Sequence, residues 1–244
     1  MTLSCLGFGH LPGDSALSKN ALRVLFAGWA SFVVQDADNQ LQICGEYSPE
    51  EESLVEALKT ELADRSKNPV NKRIPLKLFG WESLQGFLTP KAEVYGLDDA
   101  SPTPPCAARL YYRNALDVAV CGNSADHLTV VIDALTGQLY QWTTFEPTPR
   151  FVGANVSADT NVQFEKVWAG ESHVLALATD GTLYSWGSGR HGQLGHGDLA
   201  SEPFPKPIEP LQGIRIVDAA CGAAFSVALS GQCHSFFFFY SMKS

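Results

Sequence analysis

Short apolar runs separated by turn residues recur along much of this chain. In the clearest unit, residues 169–198, the apolar run His173–Ala178 is followed by Asp180-Gly181 and by a second run, Leu183–Trp186. An Asp-Gly pair between two such runs is typical of a β-hairpin with a type I′ turn. The glycines that follow are too many for a helix. The pattern therefore predicts antiparallel strands joined by tight turns.

The same pattern of glycine, strand and turn recurs in weaker form elsewhere. Its leading glycines are Gly28, Gly122, Gly170 and Gly222, and the last three are about 50 residues apart, near the length of one four-stranded blade. Each hairpin has an apolar face that only a neighbouring unit can bury. We predict an all-β fold, a partial β-propeller of about four repeats. A solenoid and an irregular β-sandwich remain open as alternatives.

Particular residue types mark the structural positions of the repeat. Glycines permit turns and close backbone approach, and tryptophans fill the space between blades. The predicted positions are Gly28, Gly45, Gly122, Trp142, Gly170, His173, Gly181, Trp186, Gly187, Gly192, Gly195 and Gly222.

Residues 46–110 break the repeat and are predicted to be a divergent insertion. Ser48-Pro49-Glu50-Glu51 has the form of a capping box, which predicts an amphipathic helix over about residues 49–66. This helix either packs across the outside or top of the ring or serves as a partner-binding helix or lid. The other predicted segments are an N-terminal strand and first repeat at 1–45, repeats two to four at 111–235, and an off-pattern aromatic tail at 236–244.

The aromatic tail, FFFFYSMKS from Phe236 onward, fits no strand pattern. It is the kind of ending expected of a truncated isoform or of an error in the gene model. An open ring exposes unpaired strand edges, and an aromatic tail adds an aggregation-prone segment. We therefore expect a chain of this length to fold poorly on its own.

The unit from Gly170 to Gly195 resembles the repeat of the regulator-of-chromosome-condensation family. The resemblance rests on Gly170–His173, Asp180-Gly181, Tyr184–Gly187 and Gly192–Gly195. It implies a propeller whose full ring has more blades than this chain supplies. The long insertion between early repeats further resembles a small member of that family.

The resemblance implies a non-enzymatic interaction scaffold in the nucleus, with the cytoplasm as a second location. For the small member, it implies a Jumonji-type histone lysine demethylase or hydroxylase as partner, with roles in histone methylation and chromosome segregation. The alternatives are a guanine-nucleotide exchange factor for a small GTPase and an enzyme with its site in the propeller channel. Loops at one face of a propeller commonly bind partners. The candidate loop here is Ser188, Gly189, Arg190 and His191.

Composition and spacing argue against several other kinds of chemistry. The formal net charge is −9 with no cluster of basic residues, so direct binding to nucleic acid is not expected. The G-x-G-x-x-G string at Gly187–Gly192 precedes further glycines and prolines rather than a helix, so it does not indicate a dinucleotide site. No cofactor or small-molecule substrate is expected.

The histidines and cysteines have no spacing typical of a metal site. His173, His191 and His196 lack the spacing of a helical pair, and the six cysteines include no C-x-x-C pair. We expect His173 to hydrogen-bond the backbone between strands. No apolar run is long enough to span a membrane, and no catalytic set of residues stands out.

Overall fold

The structure is a computed structural model that describes most of the chain from residue 23 to residue 238. The described residues are 23–28, 30–35, 40–63, 76–80, 83–97, 108–122, 127–144, 146, 148–152, 162–232 and 235–238. Within these ranges the chain forms five antiparallel sheets, which follow one another in sequence order.

The first two sheets flank an α-helix. The first sheet contains β1 (Arg23–Ala27), β2 (Ser31–Gln35) and β3 (Leu41–Gly45), and the helix α1 (Pro49–Ala63) follows it. The second sheet contains β4 (Lys77–Phe79), β5 (Gly86–Leu88), β6 (Glu93–Leu97) and β7 (Ala108–Arg113).

The remaining three sheets come from the part of the chain with the clearest repeat. The third contains β8 (Ala115–Gly122), β9 (His127–Asp133), β10 (Leu139–Thr143) and β11 (Arg150–Phe151). The fourth contains β12 (Phe164–Ala169), β13 (His173–Ala178), β14 (Leu183–Gly187) and β15 (Glu202–Pro207). After a short 3-10 helix (Glu209–Leu211), the fifth contains β16 (Ile216–Cys221), β17 (Ser226–Ser230) and β18 (Ser235–Phe238).

Successive sheets pack face to face through four hydrophobic clusters. Val33 and Phe87 belong to the cluster that joins the first sheet, α1 and the second sheet. The other clusters join the second sheet to the third, the third to the fourth, and the fourth to the fifth. Every residue of β13 is buried, because this strand has a neighbouring sheet on each side. This stacking of antiparallel sheets of three or four described strands is the partial β-propeller that the sequence predicted.

The segment 46–110 differs from the divergent insertion expected there. After the helix, residues 77–113 form a four-stranded sheet of the same up-and-down order as the others, so the described chain has five units rather than about four. Two of its strands have only three residues each. Strands this short carry too little periodicity to be recognised from sequence. The helix ends at Ala63, and residues 64–66 of its predicted range lie outside the described residues.

The aromatic tail also differs from expectation, because its first residues form a strand. Ser235–Phe238 is β18, and it pairs antiparallel with β17, with Ala228 opposite Phe236. Phe236 packs against the cluster between the fourth and fifth sheets. Consecutive phenylalanines hide the alternation of a strand, although aromatic residues favour strands. Residues 239–244 lie outside the described residues.

Glu51 connects the helix to the first two sheets. The capping box forms as predicted, since the Ser48 backbone N–H donates to Glu51 Oε2 at 2.9 Å and the Glu51 N–H donates to Ser48 Oγ at 3.3 Å. The other carboxylate oxygen, Oε1, accepts from Ser31 Oγ at 2.6 Å and from the Leu84 N–H at 2.9 Å. The side chain is 4% exposed. One buried carboxylate thus joins β2, α1 and the chain that enters β5.

Asp117 makes a similar connection among the second, third and fourth sheets. Its Oδ1 accepts from Lys77 Nζ at 2.7 Å, and its Oδ2 accepts from the Val167 backbone N–H at 2.9 Å. The Asp117 side chain is 17% exposed. The second and fourth sheets are therefore both tied to the first strand of the third.

Replacing Asp117 by alanine is expected to lower the free energy of unfolding by about 2 kcal/mol, because a backbone donor and an ammonium group lose their acceptor. Asp218→Ala is the matched control. Asp218 lies at the equivalent position of the fifth sheet, but it is 59% exposed and its contact with Lys166 is 3.6 Å long, so its loss should cost less than about 0.5 kcal/mol. Urea unfolding of both variants measures the difference. Equal losses would contradict the role assigned to Asp117.

Candidate protein-binding surface

The leading glycines begin the same turn in three of the sheets. The backbone N–H of Gly28 donates to Ser31 O at 2.9 Å, that of Gly170 to His173 O at 2.8 Å, and that of Gly222 to Phe225 O at 2.9 Å. Gly122 differs, because it ends β8 with a positive φ of 98° and pairs with His127. Ser31 and His173 therefore occupy equivalent places at the start of the second strand of their sheets, and Phe225 is equivalent to them immediately before β17.

Two glycines of the fourth sheet have physical reasons to lack a side chain. A Cβ on Gly170 would lie 2.2 Å from His173 Cε1 and 2.5 Å from Gly222 O. Gly187 has a φ of 104°, a conformation that residues with a side chain rarely adopt. Other predicted positions with positive φ are Gly45, Gly181, Gly192 and Gly195.

The two predicted tryptophans lie between sheets. Trp142 is 5% exposed and belongs to the cluster between the second and third sheets, where its ring stacks on those of Tyr111 and Tyr112 with centroids 6.1 and 6.3 Å away. Trp186 is 2% exposed in the cluster between the third and fourth sheets.

His173 makes its contact with the next sheet and is fully buried. Its Nε2 lies 2.8 Å from Ser226 Oγ, and that hydroxyl donates to Gln193 O at 2.9 Å. Burial lowers the pKa of His173 to about 4, an effect that the backbone of Phe225 partly offsets. His173 was expected to hydrogen-bond the backbone between strands. In the structure its Nε2 instead contacts the side chain of Ser226, 53 residues away, and so links the fourth sheet to the fifth.

The candidate loop is anchored by buried groups and presents two exposed side chains. The Ser188 N–H donates to Ser172 O at 2.8 Å, and the His191 N–H donates to Gln193 Oε1 at 2.8 Å. Gly189 is buried, whereas Arg190 and His191 are exposed.

The base of this loop is tied to the fourth sheet. Ser185 Oγ donates to Leu194 O at 2.7 Å and lies 3.0 Å from His196 Nε2. Gln193 and Ser185 are completely buried. Ser185 of the fourth sheet and Ser226 of the fifth therefore both bond the backbone that follows Arg190 and His191.

A cleft between the second and third sheets is lined by neutral groups. Aromatic rings of Tyr95, Tyr111 and Trp142 line it, together with Thr144 and His127, whose Nδ1 lies 3.0 Å from Thr144 Oγ1. None of its lining residues has a carboxylate, thiol, ammonium or guanidinium group.

In the part of the chain that the structure describes, no group of three His, Cys, Asp or Glu side chains could hold a metal ion. Among the described cysteines, Cys44 and Cys221 have free thiols. None of the described helices is long and apolar enough to cross a membrane.

Several residues that join one sheet to the next were missed in the sequence. Glu51 was recognised for its capping role, but its bonds to Ser31 and Leu84 were not. Asp117 and Ser226 carried no signal, because a lone polar residue in a strand is ordinary and its partner lies far away in sequence.

The C-terminal sheets match a known repeat family. Residues 164–193 and 180–229 each match a sequence model described as Regulator of chromosome condensation (RCC1) repeat. The RCC1 domain-containing protein 1 of Mus musculus is 52% identical over 61 residues, which make up 25% of this chain and 16% of that protein. The human protein of the same name is 48% identical over 61 residues, with the same coverage. The matched segment is thus a small share of those relatives' length.

Two solved structures share the fold. The crystal structure of human WBSCR16 matches with a TM-score of 0.61 and 16% identity, covering 88% of this chain and 59% of that chain. A chain in the crystal structure of Kap60 bound to yeast RCC1 (Prp20) matches with a TM-score of 0.57 and 14% identity, covering 86% and 54%. At these identities the likeness concerns the fold alone.

Proposed function

We propose that this chain, which carries regulator-of-chromosome-condensation repeats, is a non-enzymatic scaffold that binds a protein partner through the loop Ser188–His191. The observation that supports this most directly is a loop whose backbone is hydrogen-bonded at both ends and whose residues Arg190 and His191 are exposed. From a buried position Gln193 accepts the His191 N–H of the loop, and Ser226 and Ser185 bond the carbonyls of Gln193 and Leu194 just after it. Arg190 and His191 are exposed. A loop ordered before binding loses little entropy when a partner docks.

The partner we propose is a Jumonji-type histone lysine demethylase or hydroxylase, met in the nucleus and linking the scaffold to chromatin. This choice follows from what the resemblance to a small member of the repeat family implies; RCC1 domain-containing protein 1 is similar to this chain over 61 residues. With a formal net charge of −9, the chain would reach chromatin through protein contacts rather than through DNA phosphates.

If the loop is the contact surface, removing its exposed side chains should weaken binding of the partner. Replacing Arg190 and His191 together by alanine should reduce capture of the Jumonji-type enzyme from nuclear extract at least about tenfold, as expected when an interface loses an arginine anchor. Quantitative mass spectrometry of material bound to the full chain measures the change. The matched control is Arg150→Ala, since Arg150 is 69% exposed on the third sheet and forms an ion pair with the nearby Glu146.

Undiminished capture by the double variant would show that the loop is not the contact surface. Failure of the unmodified chain to enrich any Jumonji-type enzyme would refute the proposed partner. A third result, equal losses for the double variant and for Arg150→Ala, would indicate a nonspecific charge effect.

A nucleotide-exchange assay separates the scaffold from the alternative function. The full chain is added to a small GTPase loaded with fluorescent guanine nucleotide, and the release rate is followed. A scaffold leaves that rate unchanged, whereas an exchange factor accelerates it.

A further inference from the structure

The cleft between the second and third sheets contains a buried polar side chain without a partner among the described residues. Gln85 lines this cleft and is 6% exposed. Both polar atoms of its amide, Oε1 and Nε2, lack a hydrogen-bond partner. An unpaired donor and acceptor in a buried place cost free energy, and native proteins pair nearly all such groups. The Gln85 amide is therefore a candidate recognition group.

The backbone around Gln85 is held in place. The Gln85 N–H donates to Phe79 O at 3.0 Å, and the preceding Leu84 N–H donates to Glu51 Oε1 at 2.9 Å. The next residue, Gly86, begins β5, which pairs with a strand on each side. A glutamine turns its amide at little cost, because its last torsion has a broad energy minimum. The amide can therefore meet a ligand in the cleft without a change in the backbone.

The rest of the lining determines which chemical group suits the cleft. Tyr95, Tyr111 and Trp142 contribute aromatic rings, and no lining residue has a carboxylate, ammonium or guanidinium group. An uncharged aromatic or aliphatic group packs well on such rings. A phosphate or carboxylate would lose its hydration and find no lysine or arginine in the lining to replace it. The cleft thus favours a neutral, apolar side chain.

The Gln85 amide matches the backbone of an extended peptide. It offers an acceptor at Oε1 and a donor at Nε2. In an extended segment, the N–H and C=O of one residue point to the same side, while successive side chains point to opposite faces. One amide can therefore pair with both backbone groups of a single peptide residue, and a neighbouring side chain of that peptide can reach the rings.

We propose that this cleft binds an extended segment of the protein partner. The Gln85 amide pairs with the backbone of that segment, and an uncharged aromatic or large aliphatic side chain packs on the aromatic rings of the cleft. This inference rests on the proposed scaffold function, and it adds a second contact to the loop Ser188–His191.

The cleft and the loop open toward the same face of the stacked sheets. His127, in the cleft, begins β9 beside the end of β8. The turn that leads into β13 lies next to that end, since Cys121 Sγ is 3.6 Å from Glu171 O. The loop is bonded to the same turn, because the Ser188 N–H donates to Ser172 O at 2.8 Å. One partner can therefore contact both places.

Peptide selection on the immobilised full chain tests the cleft. The probe is a phage-displayed library of short random peptides, and the enriched peptides are expected to share an uncharged aromatic or large aliphatic residue. Gln85→Met keeps the shape of the side chain but cannot pair with a backbone, so it should weaken binding of an enriched peptide at least about tenfold. Ser83→Trp should abolish binding, because Ser83 lines the cleft and an indole there fills it. Fluorescence polarisation measures both changes.

Stability separates a recognition role of the amide from a structural one. Gln85→Met removes an unpaired buried amide and should raise the urea midpoint of unfolding. Gln138→Met is the matched control, since Gln138 Nε2 donates to Val162 O at 3.1 Å. It should lower the midpoint and leave peptide binding unchanged.

Four results would each overturn the proposal. They are no enrichment above a surface without the chain, an enriched set defined by charge rather than by an apolar residue, undiminished binding of the enriched peptides by Gln85→Met and Ser83→Trp, and a lower urea midpoint for Gln85→Met. The selection uses no Jumonji-type enzyme. A negative result therefore leaves capture of that enzyme through the loop unaffected, and failed capture leaves the result for the cleft standing.

Discussion

Replacing Glu51 by alanine is expected to lower the free energy of unfolding by about 3–5 kcal/mol, because three donors lose a charged acceptor in a site closed to water. Ser31 Oγ and the backbone N–H groups of Ser48 and Leu84 all donate to this carboxylate. Chemical denaturation followed by circular dichroism measures the loss.

Glu52→Ala is the matched control for Glu51→Ala, since Glu52 is the next residue of the same helical turn and is exposed. Its replacement should change stability by less than about 0.5 kcal/mol. Glu51→Gln keeps one acceptor oxygen and should fall between the two. A loss for Glu51→Ala no larger than that for Glu52→Ala would mean that the carboxylate does not join the first two sheets.

Acidification is expected to weaken the fold through His173. In the folded chain its pKa is lowered to about 4 from the ordinary 6.5, so the unfolded chain binds a proton more readily. The stability contributed by the neutral ring is complete above about pH 6.5 and is lost as the pH falls toward 4, a change of about 3 kcal/mol. The measurement is the free energy of unfolding at a series of pH values.

The variant His173→Gln isolates this effect from the titration of carboxylates and of His196, whose pKa burial also lowers. Its stability should be lower than that of the unmodified chain at pH 7 and should fall less steeply toward pH 4. His191→Gln alters an exposed histidine and should keep the original slope. If His173→Gln and the unmodified chain lose stability in parallel, the imidazole is not the titrating group.

The repeat at the C-terminal end was accessible to sequence reasoning because its signals are local. The Asp-Gly pair correctly predicted the hairpin between β13 and β14. The turn is not of type I′, because Gly181 has a positive φ of 92° and Asp180 does not. Ser48 and Glu51 are three residues apart, so the capping box could be recognised and is present. The second sheet could not be recognised from the sequence, because β4 and β5 are only three residues long and no repeat unit with a leading glycine precedes them.

The sequence by itself determined the local elements: all-β hairpins, glycine turns and one capped helix. Only the tertiary structure decided how the sheets are joined. Glu51 meets Ser31 and Leu84 across 20 and 33 residues, and His173 meets Ser226 across 53. Alternation along a strand defines two faces, but which sheet covers each face depends on the stacking of distant segments. The residue three positions after the leading glycine is thus buried in the fourth sheet, where it is His173, and exposed in the fifth, where it is Phe225.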